Sequence, residues 1–171
     1  MLHFGDRLLV RRVGGEVAQL VRIGHFVVQL DPARTVYVEG ESKKIGQLQV
    51  PEALIQAMRA SECVLLEADV PTRVALLSEE YRHFFADRKT LDAQLDCLVG
   101  LHGRERVEDW KALAARGAWQ ELVARLLEEH YDPAYRRSAQ RNFARLPQAA
   151  VLRVADPGEQ SFARLAQELA A

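Results

Sequence analysis

The chain has 171 residues, 49% hydrophobic and 27% charged, with 23 basic against 24 acidic side chains and a formal net charge of -1. This composition supports one globular domain with a real core, two small domains being the alternative. It excludes a global basic field for nucleic acid, so any RNA contact must come from a local patch. Two cysteines, Cys63 and Cys97, stand far apart without a CxxC pair. That argues against a disulfide scaffold or a zinc site, and both are expected to be small buried hydrophobes in a reducing compartment. No apolar run approaches the ~20 residues of a membrane helix. The opening MLHFGDRLLVRR lacks the apolar stretch of a signal peptide, so a cytoplasmic protein is the expectation.

In chain order, residues 1–30 are the least interpretable. Arg7 to Arg12 and Phe26 to Leu30 fit strands, with a turn at Gly14-Gly15. Thr35 to Glu39 reads as a buried strand. It tips into Glu39 and Glu41 around Gly40, then Ser42, Lys43, Lys44 and Gly46. An apolar strand with an acidic, flexible polar end is how α/β proteins present charge where ligands bind. Pro51 suits the first turn of a helix whose inner face is Leu54, Ile55 and Met58. Cys63 to Glu67 is a short apolar run of the kind a parallel sheet buries on both faces. Asp69 and Pro71 open a helix with Val74, Leu77, Tyr81, Phe84 and Phe85 on one face.

Beyond Asp87 the pattern is helical. One stripe is Leu91, Leu95, Leu98 and Val99, a second Val107, Trp110 and Leu113. A third runs from Trp119 through Leu122, Val123, Leu126 and Leu127 to His130. Gly103 and Gly117 mark helix ends. Asp132-Pro133 reads as a cap and first-turn proline opening a new helix. Ala149 to Val154 returns to strand. Asp156 to Glu159 has capping-box spacing before a last helix with Phe162, Leu165, Ala166 and Leu169 inward. There is no internal repeat. Strands alternating with helices around a helical block give an α/β layout with a helical insertion.

Four segments carry a resemblance: VYVEGESKKIG (36–46), VPEALIQAMR (50–59), RVALLSEEY (73–81) and HYDPAY (130–135). In this order and spacing the chain resembles the C-terminal half of bacterial tRNA 2-selenouridine synthase, from about Asp31 to near its end. The resemblance implies a partial P-loop-NTPase-like parallel sheet carrying the helical insertion. It leaves residues 1–30 unassigned and reads 31–171 as the C-terminal part of the P-loop-type domain. It implies replacement of sulfur by selenium in the wobble 2-thiouridine of tRNA through a geranylated intermediate. Selenophosphate and geranyl diphosphate are then the family's substrates and tRNA the partner, with no resident cofactor, metal, DNA or membrane. The chain departs from the family pattern in having no rhodanese region and no GxxxxGK[ST] phosphate loop. The expectation is a truncated or split enzyme, or a reading frame started or shifted within the gene, inactive alone. The alternatives are a non-catalytic module that holds tRNA or pairs with a separate rhodanese/P-loop chain, and a small kinase-like phosphotransferase.

No catalytic residue can be assigned. Glu39 and Glu41 would organise a cation or a phosphate-bound water, or form a solvated strand end bridged to Lys43 or Lys44. Ser42, Lys43 and Lys44 with Gly46 would bind a phosphate, or form a polar turn. Arg73 resembles the helical arginines of P-loop kinases that reach a transferred phosphate; the alternative is an ion-pairing arginine. His130, Tyr131, Asp132 and Tyr135 would face substrate, or Asp132 is a cap and His130 a helix-end histidine. Arg137, Arg141 and Arg145 recur every four residues as a basic stripe for tRNA phosphates, or a solvated face. Trp110, Trp119, Phe84 and Phe85 are simplest as core, with a prenyl pocket between the helices as the alternative.

Overall fold

The computed structural model describes residues 7–11, 21–23, 26–28, 35–40, 43–45 and 47–170. The chain forms two compact units: a sheet unit, Asp6–Glu67 with Tyr135–Arg153, and a helical unit built mainly from Ala68–Ala134 and Val154–Ala171. Among the described residues no helix is long and apolar enough to cross a membrane.

The sheet unit starts with β1 (Arg7–Arg11), then an antiparallel ribbon of β2 (Val21–Ile23) and β3 (Phe26–Val28). β4 (Tyr37–Glu39) follows, then a second ribbon of β5 (Lys44–Ile45) and β6 (Leu48–Gln49). Helix α1 (Glu52–Ala60) leads to β7 (Glu62–Glu67). Pro51 precedes α1, where its missing N–H is not needed. Leu54, Ile55 and Met58 are buried at the expected spacing, against Cys63 and Phe143.

The helical unit holds α2 (Val70–Glu80), α3 (Arg82–Ala86), α4 (Arg88–Asp96), α5 (Val99–His102), α6 (Arg104–Ala115) and α7 (Trp119–Leu126). A π-helical turn, Leu127–Tyr131, runs directly into α8 (Asp132–Asn142). A 3-10 turn, Leu146–Gln148, precedes β8 (Ala150–Arg153), and α9 (Glu159–Ala170) closes the chain. Gly103 and Gly117 end helices at φ of 82° and 70°, left-handed backbone that a side chain would strain. One apolar cluster gathers Leu91, Leu95, Val107, Trp110, Leu113 and Leu122; another joins Val74, Leu77, Val123 and Leu127.

The main sheet has the order β4-β1-β7-β8. β7 and β8 are parallel, Val64 facing Ala150 and Leu66 facing Leu152. β1 is antiparallel to both neighbours, with Leu9 opposite Glu39 on one side and Val64 on the other. The α/β character is as expected; a wholly parallel sheet is not found. The crossover through α1 makes β4 and β7 run the same way, as helical crossovers do. β1 fills the lane between them in the opposite direction, which local periodicity does not encode.

Several local expectations are corrected. The helix after Asp69 breaks at Tyr81, so Phe84 and Phe85 lie on a separate short helix. Cys97 is exposed, while Cys63 is buried. Phe162 is 39% exposed and Ala166 is exposed, leaving Leu165 as the buried residue of α9's apolar face. Asp132 does not cap a new helix: its backbone is helical (φ -58°, ψ -45°) and its N–H donates to Leu127 O, five residues back. The widened turn lets Pro133, which clashes with the carbonyl of a regular helix and has no N–H to place, be carried without a break. Arg145 lies outside α8, which ends at Asn142, so the four-residue stripe stops at Arg141.

Candidate functional site

The acid-tipped strand is present as β4, but it is shorter than the sequence suggests and is not buried: it lies at the edge of the sheet, where Tyr37 and Val38 are half-buried and its last residue, Glu39, is exposed. Glu41, Ser42, Gly46 and the Lys44 side chain lie outside the described residues, as does the Gly14-Gly15 turn. Lys43 is described. Its carbonyl accepts from Val50 N–H at 2.8 Å, closing the β5–β6 ribbon. Its Nζ lies 3.2 Å from Glu52 Oε2, so its ionic partner is the first residue of α1. Gln56 and then Lys43 hydrogen-bond the Glu52 carboxylate and hold it below its usual range. Both side chains of this pair are well exposed, and such a pair is weak enough for an incoming phosphate to compete for the lysine.

Arg73 and Asp132 are brought together within the helical unit. Asp69 caps α2 by accepting from Thr72 N–H at 2.8 Å, which sets Arg73 one turn into the helix. The Arg73 fork meets the Asp132 carboxylate at 3.0 and 2.5 Å, a bidentate pair with side chains only 7% and 12% exposed. An arginine engaged in this way is anchored by its carboxylate, as planar fork-to-fork geometry favours.

His130 is not at a helix end. It sits in the π-helical turn with Nδ1 2.9 Å from His102 Nε2. His102 in turn sets its ring against Trp110 edge-on, with centroids 5.1 Å apart. Burial pushes both imidazoles below their ordinary pKa. Arg106 lowers His102 further and Glu129 opposes; the charge of His102 lowers His130. Glu129 is held by Arg125 at 2.6 Å, and that hydrogen bond keeps its carboxyl low. Sequence reasoning missed His102. The signal was there: a histidine directly before a helix-ending glycine sits at a helix C-terminus, facing the next turn of chain.

The remaining candidates belong to the sheet unit. Tyr135 packs against the Leu54, Ile55 and Phe143 cluster. Arg137 and Arg141 lie one turn apart on α8 and are exposed, and Arg141 Nε donates to Arg137 O at 3.2 Å. Neighbouring Arg136 is exposed too, and among the described residues none of the three has a carboxylate partner. Arg145 faces Glu62 at 3.7 Å. The two border a cavity of about 140 Å³ with Cys63, Val64, Gln148 and Ala150. It opens where β7 and β8 begin, whereas ligands of open α/β sheets sit at the carboxyl ends of the strands. Trp110 is wholly buried, as expected of core. Among the described residues no cluster of three or more His, Cys, Asp or Glu side chains could hold a metal ion.

Residues 21–97 match the family described as the tRNA 2-selenouridine synthase AAA domain. The tRNA 2-selenouridine synthase of Shewanella loihica (strain ATCC BAA-1088 / PV-4) is 30% identical over 133 residues, covering 63% of this chain and 36% of that protein. The chain therefore spans little more than a third of the length of this curated relative. No solved structure matches it. The resemblance carried by VYVEGESKKIG and VPEALIQAMR is thus borne out.

Proposed function

We propose, from the premise that residues 21–97 are a stretch of the tRNA 2-selenouridine synthase AAA domain family, that this chain supplies tRNA and phosphate binding to the replacement of sulfur by selenium at a wobble uridine. The family match is the observation that carries the reading. The surface of α8 fits it: Arg136, Arg137 and Arg141 are exposed and unneutralised among the described residues, as a phosphate-gripping face requires. The substrates that go with the family reaction, selenophosphate and geranyl diphosphate, both carry phosphate. Lys43 and Lys44 stand in the segment VEGESKKIG, where such oxyanions would be met. Selenium transfer through a geranylated intermediate also needs a selenium-carrying cysteine and a phosphate loop. The part of that work that falls to residues 21–97 and the α8 surface is the binding of tRNA and phosphate.

The test is fluorescence anisotropy of a labelled anticodon stem-loop between about 50 and about 200 mM salt. Binding should fall steeply with salt. Replacing Arg137 and Arg141 together by alanine should weaken it several-fold and lower the salt slope by about two. Arg82→Ala, which removes an exposed arginine already paired with Glu79, should have little effect. Absence of binding at low salt, or equal losses in all variants, would overturn the reading.

A further inference from the structure

We propose that the His102–His130 hydrogen bond is an acid-released latch on the π-helical turn of the helical unit. The bond joins the last residue of α5 to the turn at Leu127–Tyr131, with the ring nitrogens 2.9 Å apart. The two rings stand nearly perpendicular, at 84°. An N–H···N bond needs a proton on one facing nitrogen and a lone pair on the other. Two neutral rings satisfy this, and so does one protonated ring donating to a neutral one. Two protonated rings do not: both nitrogens would then be N–H donors and both rings cationic. The latch therefore tolerates the first proton and opens with the second.

The surroundings set which state prevails. Arg106 of α6 stands near His102 and repels a proton there, while Glu129 of the π-turn itself attracts one. Glu129 is shared with Arg125 of α7 at 2.6 Å and with Arg106 at 3.5 Å, and Asp109 of α6 reaches Arg125 at 4.0 Å. Asp132, two residues beyond His130, is engaged by Arg73 of α2. Near neutrality these ion pairs are satisfied among themselves, and burial disfavours a charge on either histidine, His102 lying edge-on against Trp110. What the latch restrains is an element with little stability of its own. π-Helical geometry is rare, occurs as single turns, and often marks functional positions. Once His102 lets go, α5 is uncoupled from the turn linking α7 to α8, and the turn opens locally before the unit unfolds.

The experiment is amide hydrogen exchange on the full chain between about pH 7.5 and about pH 5, each rate normalised to its intrinsic value. Amides of Leu127–Tyr131 should exchange several-fold faster, after normalisation, at the acidic end. His130→Gln keeps a hydrogen-bonding side chain that does not titrate and should flatten the profile; His102→Gln serves equally should the first variant fail to fold. In the wild type, NMR titration should show two histidine ring signals moving below the ordinary histidine range. A flat wild-type exchange profile, an unchanged acid response in both variants, or histidine signals that all titrate normally would overturn the proposal.

Discussion

Arg73 and Asp132 lie 59 residues apart and close a bidentate ion pair inside the helical unit, joining α2 to the start of α8. With side chains 7% and 12% exposed, both charges are largely out of water, so each depends on the other to offset its desolvation. Arg73→Ala should therefore destabilise by about 3–5 kcal/mol, because it strands the Asp132 carboxylate. Arg73→Lys should also lose stability, since a point charge cannot make both bonds. The double replacement Arg73→Met with Asp132→Leu should be much milder than either single change, as buried pairs replaced by apolar groups often are. Urea unfolding of the wild type, Arg73→Met, Asp132→Leu and their double variant gives the coupling energy directly. Additive losses would show that the pair does not act as a unit.

This pair also marks where sequence reading stopped. The helix α1, the strands β4 and β7, the Asp69 cap and the glycine helix ends were legible because each is written within a few neighbouring residues. Asp132 was read as a cap because Asp-Pro is a local signal, whereas its partner is far away in the chain. His130 was placed at a helix end for the same reason, its partner His102 being 28 residues off. The antiparallel seating of β1 depends on which strands lie beside it, not on RLLVR itself. Arg145 was added to the stripe by counting fours. The count fails because Asn142 turns its amide back to Ser138 O at 2.8 Å and receives Arg59 at 2.7 Å. The chain then leaves the helix so that Phe143 is buried.

The capping carboxylates predict an acid-dependent loss of stability. Thr72 holds the Asp69 carboxyl below its usual range, and Thr90 does the same to Asp87. A carboxyl whose folded pKa is depressed contributes stability at pH above its ordinary value, here 3.8. That contribution disappears as pH falls through the depressed folded value. Asp69→Ala and Asp87→Ala should each lower the urea midpoint near neutrality, through loss of the N-cap bond. The gap from wild type should narrow progressively below pH 3.8. A gap independent of pH would mean that the carboxylate charge is not what stabilises these helix starts.

The apolar clusters of the helical unit and the outer face of α9 differ in what they tolerate. Leu127 and Leu122 are 0% and 1% exposed, whereas Phe162 is 39% exposed. Truncating either leucine to alanine removes apolar burial and leaves a cavity that close packing cannot fully collapse, costing about 2–5 kcal/mol. Phe162→Ala should cost less than either leucine truncation despite the larger side chain, because 39% of the residue is already in water and its loss leaves no enclosed cavity. Chemical denaturation ranks the three. A Phe162 loss as large as the leucine losses would mean that this ring is covered by something in solution.

The two thiols should separate cleanly by reactivity. Cys97 is exposed at the end of α4, with its Sγ turned toward Ala93 O at 3.4 Å. Cys63 is buried in β7, and desolvation pushes its thiol pKa up, with Arg145 opposing only in part. The thiolate is the reacting species, so burial and a raised pKa act in the same direction. Titration of the native protein with a thiol reagent at neutral pH should consume one equivalent quickly, and Cys97→Ser should remove that phase. The second equivalent should appear at the rate at which the sheet unit opens, and should become fast in denaturant. Equal rates for both cysteines in the native state would contradict the packing of Cys63 against Leu54, Ile55 and Met58, which closes that core.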